Sequence, residues 1–179
     1  MLMSCSLFTP TNPILLIGDS IVGNFPVAEL LPGRNLSTWG IYAAYIETLS
    51  DRIRDIIPLR SGKIIVAIGI NNLQRGDAVE EIAAPYDALL ARLIEQSPMI
   101  TIIVQAVLPN MDGRISRAYL AAANEAIQEA ASKHGLAFID PAPAFLDVGG
   151  NVRPELFEGS VHLTPAGYRA WADFLRRYL

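Results

Sequence analysis

Short unbroken apolar runs alternate along this chain with longer segments in which apolar residues recur every three or four positions. Ile14-Leu15-Leu16-Ile17, ending at Gly18, suits a strand buried on both faces. Lys63 to Ile68, ending at Gly69, predicts a second strand. Ile100 to Ala106 predicts a third, rich in β-branched residues, and Leu136 to Asp140 a fourth. Arg34 to Thr38 is a weaker fifth candidate, since it lacks an apolar run.

The segments between carry the helical period. Tyr42 to Ile57 places Ile46, Leu49, Ile53 and Ile56 on one face and stops before Pro58. Asp77-Ala78-Val79-Glu80 has the form of a capping box opening a helix to about Gln96; Pro85 inside it predicts a kink or a late start. Arg117 to Lys133 is Ala-rich, with Gly135 as its C-cap. Thr164-Pro165 is an N-cap followed by proline at the first helical position, and the last helix is expected to run nearly to Leu179. Strands joined by single helices imply right-handed crossovers and a parallel sheet covered on both faces, hence a three-layer α/β/α sandwich. In such sheets function sits beyond the carboxyl ends of the strands. One domain is expected over residues 1–179, with residues 1–13 as an N-terminal extension.

Composition narrows the chemistry. With 51% hydrophobic and 18% charged residues, the chain has the apolar surface to fold without staples. Fourteen basic and 18 acidic residues give a net charge of −4 with no basic block, which argues against nucleic acid and anionic membranes as partners. The lone cysteine, Cys5, forms no internal disulfide and is read as an ordinary thiol; with only His134 and His162 beside it, a Cys/His zinc cage is excluded. No cofactor motif appears. No apolar run approaches the ~20 residues of a membrane span, and residues 1–13 lack the basic and apolar regions of a signal peptide. The expectation is a cytoplasmic protein, unless a leader preceded this start. Oligomeric state has no signature in the sequence.

Candidate chemistry lies at the strand ends. Gly18-Asp19-Ser20-Ile21-Val22-Gly23 is not a phosphate-binding loop, because Asn24-Phe25 replaces the required Lys-Ser or Lys-Thr. Nor is it a dinucleotide fingerprint or a nucleophile elbow, each of which needs a glycine where Ser20 or Val22 stands. What remains is a serine at the tip of the first strand. A reactive serine needs a base. His134 ends a helix and reads as a cation favoured by the dipole. His162 lies in the loop before the last helix, where it is either a packed histidine or a partner for Ser20. Asn71 is either a turn residue or an oxyanion donor, and Gly40 either a loop glycine or an unhindered backbone N–H.

In this order, these positions resemble the SGNH (GDSL-type) hydrolases. Gly18-Asp19-Ser20-Ile21 resembles the first sequence block, with Ile in place of the usual Leu, Gly40 the second-block glycine, Gly69-Ile70-Asn71-Asn72 the third block with Asn72 where Asp is common, and Val161-His162-Leu163-Thr164-Pro165-Ala166-Gly167-Tyr168 the last. The resemblance spans about residues 14–170. It implies a flavodoxin-like sheet of five parallel strands in the order 2-1-3-4-5. It further implies Ser20 as nucleophile, His162 as base, and an oxyanion hole from the Ser20 N–H, the Gly40 N–H and the Asn71 side chain. The family usually carries Asp three residues before the histidine; here Gly159 stands there and Glu158 one step earlier. Glu158 orients the imidazole, a backbone carbonyl does so in a Ser–His dyad, or the site is crippled.

The function expected is a serine esterase for small to medium acyl esters, its partner a small-molecule ester. The alternatives are an acyltransferase to a sugar or alcohol through the same acyl-enzyme, and a non-catalytic ester- or glycan-binding module. Phe25, Tyr42, Tyr45, Met111 and Phe157 are candidate cleft walls.

Overall fold

The structure, a computed structural model, describes residues 13–56 and 62–179. Five parallel strands form the sheet: β1 (Ile14–Gly18), β2 (Leu36–Gly40), β3 (Lys63–Ala67), β4 (Thr101–Gln105) and β5 (Ala137–Ile139). Their order is β2-β1-β3-β4-β5, the topology implied by the resemblance. All five residues of β1 are buried, as are Ile64, Ile65 and Val66 of β3. This is why these strands are unbroken apolar runs: each has neighbours on both edges and helices on both faces. β2 is an edge strand with exposed Ser37, so its pattern is weak, and it lies two residues later than Arg34–Thr38. Its register is set by β1, Leu36 opposite Ile14 and Gly40 opposite Gly18.

Eight α-helices link and flank these strands among the described residues: α1 (Ser20–Gly23), α2 (Val27–Leu30), α3 (Ile46–Asp51), α4 (Ile53–Ile56), α5 (Ile70–Arg75), α6 (Val79–Gln96), α7 (Arg117–Lys133) and α8 (Pro165–Leu175). α3, α6 and α7 pack side by side on one face, and α2 meets α8 on the other. α7 matches its predicted span. The single helix expected over 42–57 is instead α3 and α4, broken at Arg52, and it starts later, after Tyr45. Its expected stop before Pro58 and Cys5, with residues 1–12 of the expected extension, lie outside the described residues.

The capping box at Asp77–Glu80 does not form. Asp77 is drawn instead to Arg75 and Asn72, and the Ala78 N–H donates to Glu81 Oε2 at 2.8 Å, one residue further on. α6 starts at Val79 and runs unbroken through Pro85. α8 stops at Leu175, short of Leu179. His134 does more than face a helix end: its Nε2 lies 2.7 Å from Asp87 Oδ1 and joins α7 to α6. Before α8 the chain forms a small antiparallel hairpin, β6 (Phe157–Glu158) and β7 (His162–Leu163), where the sequence predicted only loop.

Candidate active site

The strand order reverses between β1 and β3, and the loops leaving these two strands flank that switch point, where open α/β sheets bind ligands. Ser20 leaves β1 and begins α1; Asn71 leaves β3 and lies in α5. His162 arrives from the far end of the chain on β7. Ser20 Oγ and His162 Nε2 are 3.1 Å apart, within proton-sharing reach.

This approach is fixed by the packing of α8, the helix that follows His162. Thr164 caps it, accepting the Gly167 N–H at 3.1 Å, and the Thr164 hydroxyl donates to the Glu155 carbonyl at 2.9 Å. Farther along α8, the Tyr168 hydroxyl donates to the Ile21 carbonyl of α1 at 3.1 Å, and Trp171 Nε1 donates to Gln105 Oε1 at the end of β4 at 2.8 Å. Phe25 packs edge-on against Tyr168 and Trp171, with ring centroids 5.9 and 5.2 Å away. The helix behind the histidine is therefore bonded directly to the helix that bears the serine.

Gly40 ends β2 against the start of α1. A Cβ at Gly40 would stand 2.1 Å from the Gly23 nitrogen and 2.6 Å from the Asp19 carbonyl oxygen, so only glycine allows this contact. Asn71 is half-buried, and its Nδ2 donates to the Ala44 carbonyl at 2.8 Å, leaving one of its two N–H groups uncommitted by that bond. Asn72 holds the surrounding frame. Its Oδ1 accepts the Ile46 N–H, and its Nδ2 donates to Glu47 and Asp77. Arg75 pairs with both carboxylates and lies over the Tyr45 ring, 4.0 Å from its centroid. Hydrogen bonds from Arg75 keep the Asp77 carboxyl below the usual range.

The loop after β4 braces both halves. Gln74 of α5 donates to Asp112 Oδ2 at 2.9 Å, and the Met111 N–H donates to the Ser160 carbonyl in the hairpin at 2.7 Å. Beneath Ser20, the Asp19 carboxyl is 3% exposed and accepts the Ile21 N–H at 2.9 Å. Burial pushes its pKa up to about 7, against that single hydrogen bond.

Glu158 stands directly across the hairpin from His162, on the same face. Between them on the chain, Gly159 turns with φ +67°, a conformation glycine adopts freely. No carboxylate among the described residues is hydrogen-bonded to the His162 ring; Glu158 is exposed and unbonded. Beside the pair opens a cavity of about 720 Å³, walled by Pro26, Leu30, Tyr42, Leu163 and Tyr168, with Asn24, Glu29, Glu158 and His162 as its polar lining. Of the expected walls only Tyr42 lines it. Phe25 and Phe157 are buried, Tyr45 lies under Arg75, and Met111 is exposed elsewhere. The missed walls come from α2 and the residue before it, β7 and α8; of these, Leu163 and Tyr168 stand within the last sequence block. A second cavity, of about 480 Å³ between α7 and the loops after β4 and β5, includes neither Ser20 nor His162. Among the described residues no His/Cys/Asp/Glu group is arranged to hold a metal, and no helix is long and apolar enough to cross a membrane.

The fold has close relatives. A protein of Streptococcus pneumonia named for platelet activating factor shares 26% identity over 96% of this chain and 86% of its own, with a TM-score of 0.83. The lipase/acylhydrolase of Enterococcus faecalis aligns at 17% identity over 94% and 95%, TM-score 0.75. A catalytic mutant of the acetylxylan esterase Axe2 of Geobacillus stearothermophilus aligns at 20% identity over 92% and 93%, TM-score 0.71. No curated protein matches the chain in sequence. The model of the GDSL-like lipase/acylhydrolase family matches residues 16–170, nearly the whole chain, and the chain belongs to that family.

Proposed function

We propose that the protein is a serine esterase that hydrolyses small to medium acyl esters through an acyl-enzyme on Ser20. One observation carries the reading, the 3.1 Å approach of Ser20 Oγ to His162 Nε2 across 142 positions of chain. As Oγ attacks the ester carbonyl carbon, its proton passes to Nε2. The carbonyl electron pair moves onto oxygen, where the Ser20 N–H, the Gly40 N–H and the free N–H of Asn71 serve as donors. The tetrahedral intermediate collapses, the bond to the alcohol oxygen breaks, and His162 returns the proton to the leaving alkoxide. Water, deprotonated by Nε2, then attacks the acyl carbon; the bond from that carbon to Oγ breaks, His162 returns the proton to Oγ, and the acid leaves.

The reacting unit is a Ser–His pair, because Glu158, the carboxylate across the hairpin, makes no hydrogen bond to the ring. The loops beside the pair are short among the described residues and leave little chain to cover the cavity, which suits modest acyl chains. Ser20→Ala is expected to abolish hydrolysis of 4-nitrophenyl acetate, with the far-ultraviolet dichroism unchanged. Retention of wild-type turnover by that variant would remove the assignment.

A further inference from the structure

The cavity beside Ser20 and His162 is a substrate site on the reading above, and its lining also gives it a sign. Of the residues around it, two are carboxylates, Glu29 and Glu158, and none is lysine or arginine. Neither carboxylate is in an ion pair or hydrogen bond among the described residues. Arginines elsewhere in the described residues are already committed. Arg176 donates to the Leu30 carbonyl and pairs with Asp173, Arg75 is shared by Asp77 and Glu47, and Arg114 is held by Asp112. Arg169, on the exposed side of α8, does not line the cavity.

The aromatic wall adds to this sign. Tyr42 is 67% exposed, and its hydroxyl is tied to Asn24 Oδ1 at 2.5 Å, which fixes the ring at the cavity edge. A ring face beside unpaired carboxylates attracts an ammonium group and repels an anion. Esters that carry a phosphate would bring it to a cleft whose lining, among the described residues, holds no lysine or arginine to receive it.

The geometry points to an ester bearing a quaternary or primary ammonium, on its alcohol or its acyl part, as the substrate class of this site, with Glu29 and Tyr42 setting the preference. The inference rests on the esterase reading, and the experiment separates the two.

Cationic esters are compared with isosteric neutral ones in which carbon replaces nitrogen. Acetylthiocholine against 3,3-dimethylbutyl thioacetate tests the alcohol part. The 4-nitrophenyl esters of 4-(trimethylammonio)butyrate and 5,5-dimethylhexanoate test the acyl part. In at least one pair kcat/KM is expected to favour the cation by about tenfold at low salt, the effect of one carboxylate at about 6 Å in a partly solvated cleft. That ratio should fall as salt rises from ~0.01 to ~0.5 M, and by about three- to tenfold in Glu29→Gln. Parity in both pairs, or a preference indifferent to salt and to Glu29→Gln, overturns the inference.

Binding to the Ser20→Ala protein is measured alongside, by nuclear magnetic resonance titration with choline and with 3,3-dimethylbutan-1-ol. If no ester is hydrolysed but choline binds more tightly, the esterase reading fails and the charge preference stands. If choline binds no tighter than the neutral alcohol and both cationic esters lack an advantage, the preference fails whether or not hydrolysis occurs.

Discussion

The carboxyl of Asp19 should make the stability of this protein fall between mildly acidic and mildly basic pH, and Asp19→Asn should remove that fall. The side chain is buried between the end of β1 and the start of α1, where desolvation raises its pKa from 3.8 to about 7. As pH rises past about 4 the unfolded chain gives up this proton, while the folded chain keeps it until pH nears 7. Stability therefore drops across that window, and the drop levels off once both states are ionised. Integrating between pH 5 and pH 8 with these two values gives a loss of about 2.5 kcal/mol from this one group. Asparagine has the same shape and can still accept the Ile21 N–H, so the variant keeps the local bond without the ionisation. Urea unfolding of both proteins at pH 5 and pH 8 isolates the term, since every other titrating group is common to them. The wild type should lose about 2.5 kcal/mol more than the variant between the two pH values. Parallel pH profiles would show that the Asp19 carboxyl is not held protonated by burial, and the argument would fail.

Two further substitutions probe the site's frame. Gly40→Ala would place a methyl 2.1 Å from the Gly23 nitrogen and 2.3 Å from its Cα, so β2 and α1 must part; a loss of about 3 kcal/mol in urea unfolding, with ester hydrolysis falling alongside, is expected. An unchanged midpoint and unchanged activity would contradict the close approach. Glu158→Gln should lower kcat on a neutral ester by less than about tenfold, because no bond ties this carboxylate to the His162 ring; a loss near the ~10⁴ seen when a triad aspartate is replaced would instead assign it as the third member.

The sheet was legible because buried parallel strands must be apolar on both sides, which makes β1, β3 and β4 stand out as runs. β2 is less legible, because an edge strand bears no such constraint and its register is set by β1. The split of the first long helical segment at Arg52 left no mark in its period, since Ile46, Leu49 and Ile53 remain buried on both sides of the break. At the site, Ser20, Gly40, Asn71 and His162 were recognisable in sequence order, and the structure brings Ser20 and His162 together. The hairpin bearing His162 was missed, because two-residue strands have no measurable alternation. Glu29 and Leu30 were missed for a different reason: a cavity wall made by the four-residue helix α2 depends on where α8 packs, which only the tertiary bonds of Tyr168 and Trp171 determine.

The most direct measurement is stoichiometric labelling with a fluorophosphonate, followed by peptide mapping and by the labelling rate of His162→Ala. One phosphonyl group should attach per chain, on Ser20, and loss of the imidazole should slow its attachment by at least about a hundredfold, the usual contribution of a general base. No adduct after hours, an adduct on another residue, or a His162→Ala protein labelled at the wild-type rate would contradict the pairing of this serine with this histidine.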